Sequence, residues 1–187
     1  MTAWLLLNSI GLAVVGFVLY LVLRQIGFVL QRVGPVGARS GTDGPRIGEN
    51  VQHALPEPLR RVQHRAKLIV FVAEACSICS QVKAGAQELA KTWRRNAEIL
   101  LVYDCENGQQ DSRSLAEQAP GLYSMRDCAL RQSLAVAYVP YALVTDASGN
   151  VVGKGLVNEM AHLESLLELE RAKSNAAALA EPLEQGT

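Results

Sequence analysis

LIVFVAEACSIC, residues 68–79, is the stretch of sequence from which the fold follows. Its first six residues form a short continuous apolar run rich in branched side chains, which predicts a central strand covered on both faces. Cys76 and Cys79 follow, where the strand should pass into a helix. A CxxC motif in this context is typical of reversible disulfide chemistry, so both cysteines are predicted catalytic residues.

The position of each cysteine predicts its chemical role. If a helix begins near Ser77, the Cys76 sulfur lies beside unpaired backbone N–H groups and the positive end of the helix dipole. Such a position lowers a cysteine pKa from about 8.5 to roughly 3.5–7.5. We therefore expect Cys76 to be the attacking thiolate and Cys79 the resolving thiol. The alternatives are half of a zinc site and a pair of unreactive core cysteines.

The rest of the chain predicts an α/β domain. Val82, Ala86, Leu89 and Ala90 recur at helical spacing after the motif. The further expected elements, in chain order, are a strand over 99–103, a helix from Asp111-Ser112 to Gln118, a strand over 122–125, a helix over 130–137, a hairpin of 141–145 with 151–155, and a helix capped by Asn158. This order is that of a thioredoxin-like fold, a central mixed sheet with flanking helices.

Val139-Pro140 directly precedes the first hairpin strand. Thioredoxin-like proteins carry a cis-proline there, facing the CxxC motif, and X-Pro is the only common bond that adopts cis at low cost. A cis bond would present the backbone of Val139 to a substrate strand, so Val139 and Pro140 are predicted substrate-binding residues. The alternative is a trans proline that opens a strand.

The N-terminus predicts a membrane anchor. Residues 3–23 carry no charged side chain and are long enough, as a helix, to span a bilayer. A cleaved signal peptide would have a basic residue before the apolar run, and none is present. A buried soluble helix is the other alternative. We therefore expect a single-pass protein that contacts the lipid bilayer through this helix.

Two features of the sequence predict opposite orientations of the anchor in the membrane. Arg24, Arg32, Arg39 and Arg46 all follow the apolar span, which favours a cytoplasmic domain by the positive-inside rule. The chain's four cysteines favour an oxidising compartment. The residues by themselves therefore leave the orientation of the domain open.

Composition and turn-forming residues predict the domain boundaries. Residues 24–66 are expected to form a juxtamembrane helix and a Gly/Pro-rich linker, 67–171 the thioredoxin-like domain, and 172–187 a flexible tail. The 18 basic and 18 acidic side chains cancel, so no net field draws the chain to nucleic acid. We expect no cofactor and no metal at the site, where two sulfurs would carry the chemistry.

Cys105 and Cys128 form a candidate second disulfide. Cys105 ends one predicted strand and Cys128 precedes a helix that leads to Pro140, so both are expected at the sheet edge that carries the CxxC motif. A bridge between them would contribute roughly 3 kcal/mol on chain-entropy arguments and would be structural or a redox relay. Unpaired core cysteines and a four-cysteine zinc site are the alternatives.

Several short runs in one order carry a family resemblance. Besides the anchor and the CxxC motif they are Arg24-Gln25-Ile26-Gly27, Gly34-Pro35-Val36-Gly37-Ala38-Arg39, Gly44-Pro45-Arg46-Ile47-Gly48-Glu49, Pro140-Tyr141-Ala142, Lys154-Gly155-Leu156-Val157-Asn158 and His162-Leu163-Glu164-Ser165-Leu166. With them the chain resembles the MauD family of methylamine utilisation proteins, membrane-anchored relatives of TlpA-type thioredoxin-like proteins. The resemblance implies an exoplasmic domain that assists maturation of the disulfide-rich small subunit of an amine dehydrogenase.

The resemblance does not determine the direction of electron flow. Ser77 stands where the family usually has Pro, and the residues between the cysteines tune the reduction potential. The leading expectation is a thiol–disulfide oxidoreductase that acts on an exported client with disulfides and exchanges electrons with a membrane redox partner. A non-catalytic assembly or binding module with a static disulfide is the alternative.

Overall fold

The computed structural model describes residues 11, 15–20, 43–105 and 115–180, which fall in two compact units, Met1–Val36 and Gly37–Thr187. In the first unit, residues 11 and 15–20 are helical and exposed. No helix within the described residues combines the length and the apolar content needed to cross a membrane. The rest of the expected anchor at 3–23 and the juxtamembrane residues 24–42 lie outside the described residues.

A six-stranded mixed sheet forms the centre of the second unit. Its strands are β1 (Ala66–Val72), β2 (Ala97–Tyr103), β3 (Ala116–Ala119), β4 (Leu122–Arg126), β5 (Tyr141–Thr145) and β6 (Val151–Leu156), in the order β3-β4-β2-β1-β5-β6. Strands β1, β2 and β4 are parallel neighbours, whereas β3, β5 and β6 join by antiparallel pairing. The prediction of a buried central strand is confirmed, because β1 is buried along its whole length.

Helices cover both faces of this sheet. One face packs against α2 (Ser77–Thr92) and α4 (Met160–Ala180), and the other against the shorter helices α1 (Glu57–Arg61) and α3 (Cys128–Ser133). The two cores arise because successive side chains of a strand point to opposite faces, as Val70 and Phe71 of β1 do. The predicted thioredoxin-like fold, a mixed sheet with flanking helices, is thereby confirmed.

Gly85 sets how closely α2 and α4 approach each other. A Cβ placed on Gly85 would lie 2.8 Å from the Cβ of Met160, at the first residue of α4. The absence of a side chain at this position therefore allows the two helices to pack on the face that carries the CxxC helix.

Residues 43–66 belong to the folded unit, so the predicted linker over 24–66 is wrong for this stretch. Val51, Leu55 and Leu59 are each 1% exposed and pack into the core. A 3-10 turn at Gln52–Ala54 and the five-residue helix α1 bring these side chains onto the sheet. The prolines do exclude long elements here, but single turns are too short to show periodicity in a sequence.

Two further expectations are corrected by the structure. The helix expected up to Gln118 is instead strand β3 at Ala116–Ala119, paired with β4, while residues 106–114 lie outside the described residues. The expected flexible tail is helical as far as Ala180, since α4 continues without a break. Lys173 in this extension donates to the Val152 carbonyl over 3.3 Å.

Tyr141 fastens the start of the folded unit to the sheet. Its hydroxyl donates to the Asp43 carbonyl oxygen over 2.7 Å, and Lys154 Nζ donates to the same oxygen over 2.6 Å. Burial, with a smaller contribution from the Asp43 carboxylate, raises the pKa of Tyr141 to about 12. The neutral hydroxyl is therefore the form that the folded protein favours.

Replacing Tyr141 with Phe should lower the free energy of unfolding at neutral pH by about 1 kcal/mol, because one hydrogen bond is lost while Lys154 still serves the Asp43 carbonyl. The folded pKa lies above the unfolded value of about 10, so this hydroxyl contributes stability that is fully present below about pH 10. That contribution is lost as the pH rises toward 12. Urea unfolding of both proteins from pH 7 to 12 should show a stability difference that shrinks or reverses above pH 10. A constant difference would contradict the assignment.

Candidate active site

The two CxxC cysteines occupy different environments at the start of α2. Cys76 is the N-cap residue, half-buried, and its sulfur accepts a hydrogen bond from the backbone N–H of Cys79 over 3.1 Å. Cys79 is fully buried, and its sulfur accepts from the backbone N–H of Ala73 over 3.5 Å. The two are joined as a disulfide with their Cα atoms 5.2 Å apart.

This asymmetry determines what each sulfur can do. Only Cys76 has solvent access, so a sulfur from another molecule can reach Cys76 but not Cys79. In the reduced protein, the Cys79 N–H and the helix dipole would stabilise negative charge on the Cys76 sulfur. Cys79 is held within bonding distance of Cys76 and is positioned to displace a group attached to it.

The Val139–Pro140 peptide bond is cis, as expected from the sequence. Pro140 directly precedes β5, whose first residue Tyr141 pairs with Phe71 near the end of β1. The Pro140 carbonyl accepts from the backbone N–H of Val157 over 3.1 Å, which fixes the proline against the end of β6. The proline and the CxxC motif thus lie at the same edge of the sheet.

Cys105 and Cys128 are also joined as a disulfide, with their Cα atoms 5.7 Å apart. The strand register explains the pairing. Tyr103 of β2 lies opposite Arg126 of β4 in the parallel ladder, and each cysteine comes two residues beyond its strand's member of that pair. Both cysteines are half-buried. All four cysteines therefore follow parallel strands and lie at one edge of the sheet.

A chain of charged side chains connects these segments, and the sequence analysis did not find it. Arg126 pairs with Glu74, two residues before Cys76, and donates to the Asp104 carbonyl over 3.3 Å. The Asp104 carboxylate in turn pairs with Arg131 of α3. The available signal was that Asp104 directly precedes Cys105 and Arg126 lies two residues before Cys128, but partners so distant in sequence cannot be assigned without the strand register.

Arg131 extends this network to the segment before the cis-proline. Its Nε donates to the Val136 carbonyl over 3.0 Å and its Nη2 to the Ala137 carbonyl over 2.7 Å. One guanidinium thus links α3, the end of β2 and the approach to Pro140. A planar fork with several donors is needed for three simultaneous contacts.

No cluster of three or more metal-ligating side chains occurs within the described residues. His162 in α4 has a local role, since its Nδ1 accepts from the backbone N–H of Asn158 over 3.1 Å and so joins the first turn of the helix to the segment before it. Burial, and then the Glu74 carboxylate, raise the pKa of Tyr103 at the end of β2, so this hydroxyl stays neutral at physiological pH.

The chain is 30% identical over 185 residues to the methylamine utilization protein MauD of Methylorubrum extorquens, an alignment that covers 90% of this chain and 83% of that protein. The chain belongs to the MauD family. The MauD protein of Paracoccus denitrificans is 28% identical over 186 residues, with 91% of each chain covered. No family model matches the chain.

A solved structure of known fold also superposes on this MauD family member. A Chlorobium tepidum protein described as a thiol:disulfide interchange protein DsbE matches with a TM-score of 0.51 and 14% identity, over 71% of this chain and 98% of that one. At such low identity the match speaks for the fold alone.

Replacing Arg131 with Ala should loosen the segment before Pro140 in this MauD family member and destabilise the protein by about 1–3 kcal/mol, because Asp104 loses its charge partner and two carbonyls lose their donors. Amide hydrogen exchange of residues 134–139 should accelerate. Arg131→Lys should restore this protection only in part, since an ammonium lacks the planar fork.

The matched control is Arg61→Ala, because among the residues that the structure describes Arg61 forms an ion pair only with Glu57, and both side chains are exposed. This control should change stability by no more than about 0.5 kcal/mol. If the Arg131 and Arg61 variants exchanged alike over residues 134–139, Arg131 would not position this segment.

Proposed function

We propose that this MauD family member is a membrane-anchored thiol–disulfide oxidoreductase that acts on cysteines of an exported protein. The observation that carries the proposal is the asymmetric cysteine pair at the start of α2. Cys76 is reachable and accepts the Cys79 N–H at 3.1 Å, whereas Cys79 is fully buried behind it. A purely structural bridge needs neither the access nor the hydrogen bond.

The reaction follows from the positions of the two sulfurs. The Cys76 thiolate attacks a client disulfide, forms a mixed disulfide and releases one client thiolate, which takes up a proton. The Cys79 thiolate then attacks the Cys76 sulfur, closes the intramolecular disulfide and releases the second client thiolate. Two electrons pass from the protein to the client. The same two steps in reverse deliver a disulfide to a client dithiol.

Val139 is half-buried and Pro140 is buried, so of these two predicted substrate-binding residues Val139 is the one that a client segment can contact. Pro140 has no backbone N–H, so pairing with a client at this point of the chain falls to the backbone of Val139. An extended client segment can pair with this backbone and bring its sulfur to Cys76. Two exposed apolar side chains belong to these segments, Ile78 within the CxxC motif at 44% exposure and Tyr138 directly before Val139 at 63%, and we propose that they add contact area for the client.

The client class follows from the family. Relatives carry the name methylamine utilization protein MauD, and we propose that the client here is the disulfide-rich small subunit of an amine dehydrogenase during its maturation. A protein with many disulfides needs a catalyst that forms or rearranges them. Turnover also requires a membrane redox partner that returns the CxxC pair to its starting redox state after each cycle.

Replacing Cys76 with Ser should abolish disulfide exchange with insulin or with the client subunit, because the attacking sulfur is removed. Replacing Cys79 with Ser should instead trap a mixed disulfide at Cys76, since the resolving thiol is missing. Non-reducing electrophoresis followed by peptide mapping identifies the trapped species.

Ser80→Ala serves as the control, because Ser80 is exposed one residue beyond the motif and its hydroxyl donates to the Ser77 carbonyl within the same helix. It should retain exchange at the wild-type rate. Normal exchange in both cysteine variants would leave the chain as an assembly or binding module with a static disulfide.

We further propose that residues 3–23 anchor the protein and that the folded unit lies on the exoplasmic side. The Cys105–Cys128 disulfide supports an oxidising compartment. The four arginines after the apolar span are weaker evidence for a cytoplasmic domain than their number suggests. Arg46 lies within the folded unit, where its backbone N–H bonds to Glu49 over 2.8 Å, and it falls beyond the roughly 20 residues over which the positive-inside bias acts.

Labelling of intact cells tests this location. After treatment with a membrane-impermeant phosphine reductant, an impermeant maleimide should modify the cysteines before lysis, whereas a cytoplasmic thiol protein in the same cells stays unlabelled. Protection of all four cysteines until lysis would place the domain in the cytoplasm.

A further inference from the structure

The second disulfide joins the segments that follow β2 and β4, and β2 is the neighbour of β1, the strand that leads into the CxxC loop. In the order β4-β2-β1, Cys105 follows the middle strand and Cys128 the outer one. Asp104, the residue before Cys105, is hydrogen-bonded to the end of β1. Its backbone N–H donates to the Val72 carbonyl over 2.9 Å. Cys76 comes four residues after Val72. Adjacent strands are only about 4.8 Å apart, so Cys105 and the CxxC loop are immediate neighbours at this edge.

We propose that Cys105 and Cys128 form a second redox centre that exchanges electrons with Cys76 and Cys79 within one chain. The proposal rests on the proposed thiol–disulfide chemistry of Cys76 and adds a destination for its electrons. A bridge that serves only stability has no need to lie beside a reactive pair. The described cysteines are all held in two disulfides, so each pair can oxidise the other once that other is reduced.

The exposure of the second pair permits attack. Cys105 and Cys128 are both half-buried, unlike the fully buried Cys79. Cys105 is the sulfur that Cys76 would meet, because β2 lies between β4 and β1. Cys128, one strand further away, is then the leaving group.

The edge stays assembled when the Cys105–Cys128 bond opens. Strands β2 and β4 are paired from Ile99 opposite Leu122 to Tyr103 opposite Arg126. Arg126 also donates to the Asp104 carbonyl, and the ion pair of Asp104 with Arg131 joins β2 to α3 independently of the sulfurs. The second pair can therefore cycle between disulfide and dithiol without loss of the fold.

Electrons pass from the first pair to the second in two thiol–disulfide exchange steps. The Cys76 thiolate attacks the Cys105 sulfur; the Cys76–Cys105 bond forms, the Cys105–Cys128 bond breaks, and the Cys128 thiolate takes up a proton. Cys79 then loses its proton and attacks the Cys76 sulfur, so that the Cys76–Cys79 bond forms and Cys105 leaves as a thiolate that is protonated. Two electrons have moved from the first pair to the second, and of the two protons taken up by Cys105 and Cys128 one matches the proton lost by Cys79 and the other comes from the solvent, to which Cys76 lost its proton on becoming a thiolate.

A matched pair of double variants tests the central intermediate. Cys79→Ser with Cys128→Ser leaves Cys76 and Cys105, whereas Cys79→Ser with Cys105→Ser leaves Cys76 and Cys128. Both variants lose the same two disulfides and keep two thiols. Each is treated at low micromolar concentration with oxidised glutathione, and its linked peptides are mapped.

The first variant should form an intramolecular Cys76–Cys105 bridge, and the second should retain glutathione on Cys76. An absence of intramolecular bridges from both variants overturns the relay. An equal yield in both overturns the choice of Cys105 as the attacked sulfur.

A second measurement leaves Cys105 and Cys128 intact. With limiting dithiothreitol, reduction of this pair should be at least about tenfold slower in Cys76→Ser/Cys79→Ser than in the wild type, because the intramolecular thiol acts at a far higher effective concentration than the reagent. Differential alkylation over time gives both rates. Equal rates overturn the proposal even if the double variants above do not fold.

The outcome is separable from that of the proposed function. Loss of client exchange in Cys76→Ser together with equal reduction rates would retain the oxidoreductase and remove only the relay. Client exchange that persists without Cys76 would remove the proposed function whatever the rates are.

Discussion

The site depends on the common alignment of the parallel strands β1, β2 and β4. Val72, Tyr103 and Arg126 lie opposite one another at the carboxyl ends of these strands, and every cysteine of the chain follows one of them. Because parallel strands end at the same edge, segments far apart in sequence converge there without any dedicated element. The reactive pair, the second disulfide and the approach to Pro140 are consequences of that single register.

The folded unit holds this edge in place from both faces. On one face α2 buries Cys79 and packs on α4 through the gap left by Gly85. On the other face, residues 43–66 cover the sheet. Tyr141, the residue after the cis-proline, donates a hydrogen bond from its hydroxyl to the Asp43 carbonyl. The charged chain from Glu74 through Arg126 and Asp104 to Arg131 runs along the edge itself. The sulfurs are therefore supported by contacts from both faces and along the edge, which is the kind of support that directed thiol–disulfide exchange requires.

Because Cys79 is fully buried and Cys76 is accessible, the proposed reaction with a client starts at Cys76. A client meets only Cys76, while Cys79 acts from inside the protein. If electrons then pass to Cys105 and Cys128, as proposed, one thiol partner can react at Cys76 and another at the second pair on the same edge. A single small domain would thus accept and release electrons at separate points.

Local sequence determined the parts of the structure that need only neighbours along the chain. The apolar run into β1, the start of α2 at the CxxC motif and the hairpin of β5 with β6 follow from side-chain periodicity and turn chemistry. At Pro140 the tertiary amide of proline makes a cis bond accessible at low cost, and the fold selects it. Tertiary structure alone decided the docking of residues 43–66, the strand at Ala116–Ala119, the extension of α4 to Ala180 and the partners of Arg131. These depend on which strand ends lie side by side, and no local periodicity encodes contacts between residues that are distant in the chain.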